Sequence, residues 1–184
     1  MFGLWQKCKI LFYRLGWSCD RVSLGKGVKF STPVRFTGMG QIVVEDGVCF
    51  GHEKSPDCFS GYILIDARCP ESRVRIGKNS VIGNSVSLIS FSSSIDVGEG
   101  CLLGARVIVV DSDFHPIAPT ARRQRPHSKP VRIGSNVAFG FSSIVLKGVD
   151  IGPDCFVGAG AVVAKSVSRA HKIWGNPAKD APIN

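Results

Sequence analysis

Hydrophobic residues recur at every sixth position over much of the C-terminal half of the chain. The repeat is carried by Ile133, Phe139, Val145, Ile151, Val157 and Val163. Five of these six are followed by glycine or alanine, and a small or aliphatic residue stands four positions after each. An α-helix, with a period of about 3.6 residues, cannot keep this spacing on one face over such a length. Short strands joined by tight corners can, because glycine allows the turn and the hydrophobic side chain points inward. The pattern therefore predicts an all-β fold, a β-helix of hexapeptide repeats.

The repeat is less regular toward the N-terminus and is interrupted in two places. Residues 20–75 carry an imperfect version, in which residues 51–70 are interpreted as a loop. From Ile76 the spacing tightens and, apart from three extra residues before Val97, continues to a long break at residues 111–130. This segment is basic and rich in proline, without strand alternation. A long excursion from a regular scaffold is commonly functional, so we expect the chemistry in this loop.

The first 19 residues form a separate segment. Its apolar residues near helical spacing are Trp5, Cys8, Phe12 and Leu15. They predict a short amphipathic helix that caps the open end of the β-helix, or that rests residues 1–17 peripherally on a membrane surface. Basic residues interrupt the stretch well short of a membrane-spanning length, and no secretory signal is evident.

Composition limits the class of protein further. A length of 184 residues suits one domain, assigned to residues 20–180. Seven cysteines, an odd number, argue for a reducing compartment, and Cys101 and Cys155 occupy inward positions as small core residues. The net charge of +9 favours anionic partners. Nucleic acid is not expected, because no platform of aromatic and basic residues is present.

Four motifs occur in the order found in the hexapeptide acyltransferases. They are the hexads, Asp-Phe-His-Pro at 113–116, the run Val145–Gly152 and Gly-Asn-Pro-Ala-Lys at 175–179. Over residues 20–180 the chain resembles this family, and within it the maltose, galactoside and polysaccharide O-acetyltransferases. The resemblance implies a left-handed parallel β-helix, a homotrimer, a carbohydrate acceptor, and acetyl-CoA bound in a cleft between neighbouring subunits.

His115 is the predicted general base. Acyl transfer to a hydroxyl needs a base that takes the hydroxyl proton, and a neutral imidazole suits this task near neutral pH. Asp111 or Asp113 is close enough in sequence to orient the other ring nitrogen, with a backbone carbonyl as the alternative. In the resembling sugar enzymes an asparagine on the preceding coil helps to hold the acceptor or the tetrahedral intermediate. Asn84 lies close to that position, although an ordinary corner residue is the alternative.

The resemblance also assigns residues to the donor, acetyl-CoA, on the regular C-terminal coils. They are Phe141, Ala159, Gly160, Lys165 and Lys179. Glycine and alanine would leave room for the pantetheine chain, and the two lysines would neutralise phosphates. The family commonly has an aromatic residue at Ala138 and a serine at Phe141, so the oxyanion donor stays open, with a backbone N–H as one candidate.

Three arginines of the long loop are placed at the mouth of the acceptor site. Arg122, Arg123 and Arg125 would suit an acidic or phosphate-carrying sugar, although arginines on a loop are often simply solvated.

We therefore predict a cytoplasmic acetyl-CoA-dependent O-acetyltransferase that acts on an acceptor of the polysaccharide, capsule or O-antigen type. Peripheral contact with the inner membrane face is the alternative to a fully cytoplasmic location. An N-acetyltransferase of a nucleotide-linked amino sugar is the enzymatic alternative, because no sequence feature separates an amine from a hydroxyl. A structural β-helix scaffold is the non-enzyme alternative, but it has no use for a basic loop with a histidine. A metal is not expected, since the four histidines lack a short paired spacing.

Overall fold

The computed structural model describes residues 4, 7–9, 11, 21–58 and 60–183. Its strands form three sheets, here called A, B and C. Sheet A contains β1 (Val22–Leu24), β4 (Gln41–Val44), β7 (Arg73–Ile76), β10 (Ser94–Val97), β13 (Val131–Ile133) and β16 (Asp150–Ile151). Sheet B contains β2 (Lys29–Phe30), β5 (Cys49–Phe50), β8 (Val81–Ile82), β11 (Leu102–Leu103), β14 (Ala138–Phe139), β17 (Phe156–Val157), β19 (His171–Trp174) and β20 (Lys179–Pro182). Sheet C contains β3 (Val34–Gly38), β6 (Ile63–Ala67), β9 (Ser87–Ser90), β12 (Ile108–Val110), β15 (Ile144–Val145) and β18 (Val162–Val163).

Successive strands visit the three sheets in turn. From β1 to β15, each strand pairs in parallel with the strand three places later in the chain, and β17 pairs in parallel with β19. This topology is a left-handed parallel β-helix, as predicted. The coil ends differently, because β20 turns back and pairs antiparallel with β19.

The core fills the inside of the coil. The six lead positions of the hexads are buried, and so are the residues four positions after them. In sheet A, for example, Val97 pairs with Ile133, which pairs with Ile151, so that side chains of the same position stack from coil to coil. The hexad pattern is therefore confirmed as the core pattern of the fold.

Corner glycines allow this stacking to be tight. A Cβ atom added to Gly98 would lie 2.5 Å from the backbone carbon of Gly134 in the next coil. No side chain fits in that space unless the coils separate, which explains why glycine follows the lead residue Val97.

The two cysteines at inward positions are core residues, as predicted. Cys101 and Cys155 are buried, and burial raises the pKa of the Cys101 thiol. The Sγ atom of Cys101 lies 3.1 Å from the carbonyl oxygen of Gly134. This thiol acts as a small hydrophobic residue with a weak donor.

The loop predicted at residues 51–70 is wrong in its second half. Residues 63–67 form β6, and Ile63, Ile65 and Ala67 are buried. Buried and less buried residues alternate at the start of this strand, but the twelve-residue segment before it displaces the strand from the six-residue spacing. The observed loop covers residues 51–62.

The predicted N-terminal helix lies mostly outside the described residues, including Trp5, Phe12 and Leu15. Leu4, residues 7–9 and Leu11 are helical, and Cys8 is exposed. In the part of the chain that the structure describes, no helix is both long and apolar enough to cross a membrane.

Two corners of the coil carry the predicted site residues. The corner between sheets B and C (the B–C corner) consists of residues 31–33, 51–62, 83–86, 104–107, 140–143 and 158–161. The corner between sheets C and A (the C–A corner) consists of residues 39–40, 68–72, 91–93, 111–130, 146–149 and 164–166.

Candidate active site

His115 lies at the C–A corner, on the long loop between β12 and β13, and its side chain is exposed. Its backbone N–H donates to the carbonyl oxygen of Asp113 at 2.7 Å. The ring Nδ1 lies 3.3 Å from the carbonyl oxygen of Arg122. Because that oxygen can only accept, the contact favours a hydrogen on Nδ1 and leaves the lone pair on Nε2. The imidazole is thus arranged to take a proton from a group in solvent.

Asp113 does not orient this imidazole, which corrects its predicted catalytic role. Its carboxylate forms an ion pair with the ammonium group of Lys147, on the coil that follows. The same Nζ atom donates to the carbonyl oxygen of His127 at 3.3 Å. The ion pair fastens the loop to the next coil of the β-helix. The group that faces Nδ1 of His115 is instead the backbone carbonyl of Arg122.

Asp111 is the buried anchor at the start of the loop. Its side chain is fully buried and accepts hydrogen bonds from the backbone N–H groups of Phe91 (2.7 Å) and Ser93 (2.8 Å) and from the hydroxyl of Ser90 (2.8 Å). These contacts satisfy both carboxylate oxygens, so Asp111 is not available to the imidazole. It ties the loop at residues 111–130 to the preceding coil.

The two ends of the loop are closed against each other. Ser112 pairs with Ser128 in an antiparallel bridge, and the hydroxyl of Ser128 lies 2.9 Å from that of Ser92. The N–H of Lys129 donates to the carbonyl oxygen of Asp111 at 2.9 Å. The loop is therefore fixed where it leaves the β-helix.

The three arginines predicted at the acceptor mouth do not share one environment. Arg122 and Arg123 are exposed. Arg125 forms an ion pair with Glu71, and its place at the acceptor mouth stays a prediction. The pair holds the tip of the loop to the C–A corner of an earlier coil.

Asn84 cannot touch an acceptor, which corrects its predicted role. Its side chain is fully buried at the B–C corner. The amide nitrogen donates toward the backbone carbonyl oxygens of His52 (3.0 Å), Ser55 (3.2 Å) and Pro56 (2.8 Å). The amide oxygen accepts from the N–H of His52 at 3.0 Å. Asn84 is the internal support of the loop at residues 51–62.

An ion pair fastens the outside of the same loop. The Arg106 guanidinium binds the Asp57 carboxylate through two hydrogen bonds, of 2.6 and 2.7 Å. These hydrogen bonds lower the pKa of Asp57 and raise that of Arg106.

Most of the predicted donor residues meet at the B–C corner. The N–H of Gly160 donates to the carbonyl oxygen of Phe141 at 2.9 Å, and Ala159 is exposed beside them. A Cβ atom at Gly160 would meet nothing within 4 Å, so open space adjoins this backbone. Lys179 pairs with Trp174 at the same end of sheet B. Lys165 lies at the C–A corner instead.

An apolar strip runs along the outer face of sheet B toward this corner. Leu102 pairs with Ala138, which pairs with Phe156. Leu102 is 51% exposed, Phe156 45% and the neighbouring Phe141 51%. Exposed apolar groups in one contiguous strip are typical of a surface that another chain covers. Among the described residues, no group of three or more His, Cys, Asp or Glu side chains is arranged to hold a metal ion.

Comparison with known proteins connects the repeat to a family. A model described as the hexapeptide repeat of succinyl-transferase matches residues 73–111 and 130–165. The galactoside O-acetyltransferase of Lactococcus lactis is 35% identical over 86 residues, 46% of this chain and 41% of that protein. The polysialic acid O-acetyltransferase of Escherichia coli O1:K1 is 32% identical over 109 residues, 59% of this chain and 36% of that protein. The repeats of this chain are thus similar to those of the hexapeptide-repeat acyltransferases.

Solved structures of acetyltransferases share the fold. The polysialic-acid-specific acetyltransferase NeuO has a TM-score of 0.62 and 25% identity, over 89% of this chain and 87% of that one. A hexapeptide-repeat acetyltransferase of Vibrio cholerae, solved with acetyl-CoA, has a TM-score of 0.55 and 26% identity over 58% of each chain. The alignments with the two curated relatives cover less than half of either relative.

Three residues that contact Asp113 or Phe114 are not predicted from the sequence: Lys147, Arg68 and Phe91. Lys147 lies within a regular run of hexads, where the pattern predicts only a solvated lysine at a corner. Arg68 and Phe91 lie 47 and 24 residues before His115 in the chain. Only the stacking of coils brings their corners beside the loop that carries His115, so no local signal in the sequence predicts these contacts.

Proposed function

We propose that this protein is an acetyl-CoA-dependent O-acetyltransferase with a carbohydrate acceptor. The observation that carries the proposal is His115, an exposed imidazole whose Nδ1 faces the Arg122 carbonyl oxygen, on a loop anchored by buried Asp111. Relatives named as O-acetyltransferases of galactosides and polysialic acid support the reaction class.

His115 acts as the general base. Its Nε2 takes the proton of the acceptor hydroxyl as the hydroxyl oxygen attacks the thioester carbonyl carbon. The Arg122 carbonyl oxygen accepts the hydrogen on Nδ1 and stabilises the imidazolium that forms. Base catalysis of this kind contributes about 10²- to 10⁴-fold in rate. Acetyl-CoA supplies the acyl group: its thioester C–S bond breaks as the new ester forms, and the CoA sulfur leaves as the thiol with the proton that Nε2 took.

The donor lies against Phe141, Ala159 and Gly160, where open space adjoins exposed backbone. These residues occupy the B–C corner, whereas His115 occupies the C–A corner of the same chain. A homotrimer brings the B–C corner of one subunit beside the C–A corner of its neighbour, and the apolar strip of Leu102, Ala138 and Phe156 is covered in the process. Lys179 belongs to the donor half of such a site. Lys165 belongs to the half that carries His115.

The acceptor is an acidic glycan in this proposal. Arg122 and Arg123 are exposed on the loop that carries His115, and the chain has a net charge of +9. A relative that acts on polysialic acid agrees with an anionic acceptor. We place the reaction in the cytoplasm, in polysaccharide biosynthesis. The contact of residues 1–17 with the inner membrane face stays a prediction.

Thiol release from acetyl-CoA, measured with a panel of acceptors, tests the function. The panel contains polysialic acid oligomers, a neutral galactoside and a nucleotide-linked amino sugar. We expect release with the acidic glycan and a product that mild base hydrolyses, as an ester does. A base-stable amide formed only on the amino sugar would establish the N-acetyltransferase alternative.

His115→Ala and His127→Ala form a matched pair for the mechanism. Both histidines are exposed on the same loop, but the structure places only the His115 ring against an orienting carbonyl. We expect His115→Ala to lose about 10²-fold or more in kcat and His127→Ala to keep wild-type activity. Equal activity in both variants would remove His115 from the mechanism.

A further inference from the structure

Phe114, the residue before His115, has a backbone conformation that its side chain disfavours. Its φ is 61°, in the left-handed region, where bulky residues are rare. Such a conformation persists where its surroundings hold it, and residues of this kind cluster at functional sites. The backbone at residue 114 sets the direction in which His115 leaves the chain.

Three contacts hold Phe114 in place. Its N–H donates to the hydroxyl of Ser112 at 3.1 Å. Its ring packs edge-to-face on Phe91, with ring centroids 6.4 Å apart and an interplanar angle of 79°. The guanidinium carbon of Arg68 lies 5.1 Å from the ring centroid, within the range of a cation–π contact.

Both partners of the ring are fixed in their turn. The Nε and Nη2 atoms of Arg68 donate to Oδ2 of the buried Asp66, at 3.1 and 2.9 Å. The N–H of Phe91 donates to the buried carboxylate of Asp111 at 2.7 Å. Each partner of Phe114 is therefore held by a buried acid of its own or a neighbouring coil.

The stack follows the geometry of the coil. Arg68, Phe91 and Phe114 come just after β6, β9 and β12, which are neighbours in sheet C. The corners that follow β6 and β9 therefore lie next to the turn that opens the long loop. A turn held in this way fixes the imidazole more closely than an unsupported loop would.

We propose that Phe114 is a positioning residue: clamped between Arg68 and Phe91, it keeps His115 in the orientation that sets Nδ1 against the Arg122 carbonyl oxygen. The role rests on the proposed function, in which His115 is the base. A displacement of about 1 Å in the position of a reacting group lowers the rate on the order of 10²-fold.

Four variants test the clamp. Phe114→Leu removes the ring, and Phe114→Gly relieves the backbone but removes the clamp, whereas Phe114→Tyr keeps the ring and rescues the role. Phe30→Leu is the control for loss of an aromatic contact, since Phe30 stacks on Phe50 at 5.3 Å in sheet B, away from the C–A corner. We expect kcat to fall about 10- to 100-fold in Phe114→Leu and Phe114→Gly, with the KM for acetyl-CoA within about twofold. Phe114→Tyr and Phe30→Leu should keep kcat.

A second readout does not depend on catalysis. Long-range ¹H–¹⁵N spectra of the imidazole report which ring nitrogen of His115 carries the hydrogen, with His115→Ala providing the assignment. We expect the Nδ1–H form in the wild type and in Phe114→Tyr, and a mixture of forms in Phe114→Leu. Unchanged imidazole signals together with an unchanged kcat in Phe114→Leu would overturn the proposal. So would a loss of kcat that only follows the fraction of folded protein.

The two readouts separate this inference from the proposed function. If His115→Ala keeps full activity, the proposed mechanism fails, while the spectra still show whether Phe114 orients the ring.

Discussion

The side-chain nitrogen of Asn84 lies 2.8 Å from the backbone carbonyl oxygen of Pro56, deep under the loop at residues 51–62. Two further carbonyl oxygens, of His52 and Ser55, face the same nitrogen. An amide NH₂ group is a donor that can serve several carbonyls at once, and burial makes each unmet partner costly. The loop is thus built around one buried amide rather than around a core of its own.

Replacing this amide should release the loop. Asn84→Asp places carboxylate oxygens against three carbonyls, and we expect the free energy of unfolding to fall by about 3 kcal/mol or more. Asn84→Ala leaves the carbonyls unpaired without adding repulsion, so its loss should be smaller. Denaturant unfolding measures both, with Asn79→Asp, at a corner position of positive φ, as the control. Equal stability of the Asp and Ala variants would contradict this view of the loop.

The Asp57–Arg106 ion pair should stabilise the same loop in a pH-dependent way. The pKa of Asp57 is lowered from its ordinary value of 3.8, mainly by the hydrogen bonds from Arg106. A carboxyl group with a lowered folded-state pKa stabilises the fold fully above its unfolded-state pKa, and this contribution is lost as the pH falls through the lower folded-state value. We therefore expect Asp57→Asn to be less stable than the wild type at neutral pH, with the difference shrinking below pH 3.8.

Hydrogen exchange of the amides of residues 51–58 provides the measurement, because the pair is exposed and its effect is local. A difference between Asp57→Asn and the wild type that grows on acidification would contradict the assignment.

The parts of the molecule that repeat could be predicted, and the parts that depend on contacts between coils could not. The spacing from Ile133 to Val163 predicted strands, corners and core, because burial inside the coil imposes the same period on every turn. The role of Asp113 was predicted wrongly, since sequence distance suggests that it reaches His115, whereas Lys147 from the following coil takes its carboxylate. The prediction for Asn84 was wrong for the same reason, because its hydrogen-bond partners belong to a loop about thirty residues earlier in the chain.

The close approach of Gly98 to Gly134 predicts the cost of a side chain at a corner. In Gly98→Ala the new Cβ atom would lie 2.5 Å from a backbone carbon that cannot rotate away. We expect a loss of about 1 to 3 kcal/mol in the free energy of unfolding, as for other overpacked sites. Gly100→Ala is the comparison, because a Cβ atom there meets nothing within 4 Å and only the positive φ of 64° disfavours it. Thermal unfolding should rank Gly98→Ala as the less stable variant.

The division of the proposed site between two corners predicts complementation between subunits. His115→Ala removes the base at the C–A corner, and Ala159→Trp fills the donor space at the B–C corner, so each variant alone should be inactive. If neighbouring subunits form the site, trimers assembled from both chains should recover activity. Random mixing leaves about one site in four with both halves intact. Thiol release from acetyl-CoA after joint refolding measures the recovery, and mixing His115→Ala with the double variant should give none. A mixture of the two single variants that stays inactive, although light scattering shows mixed trimers, would mean that both halves of each site come from one chain.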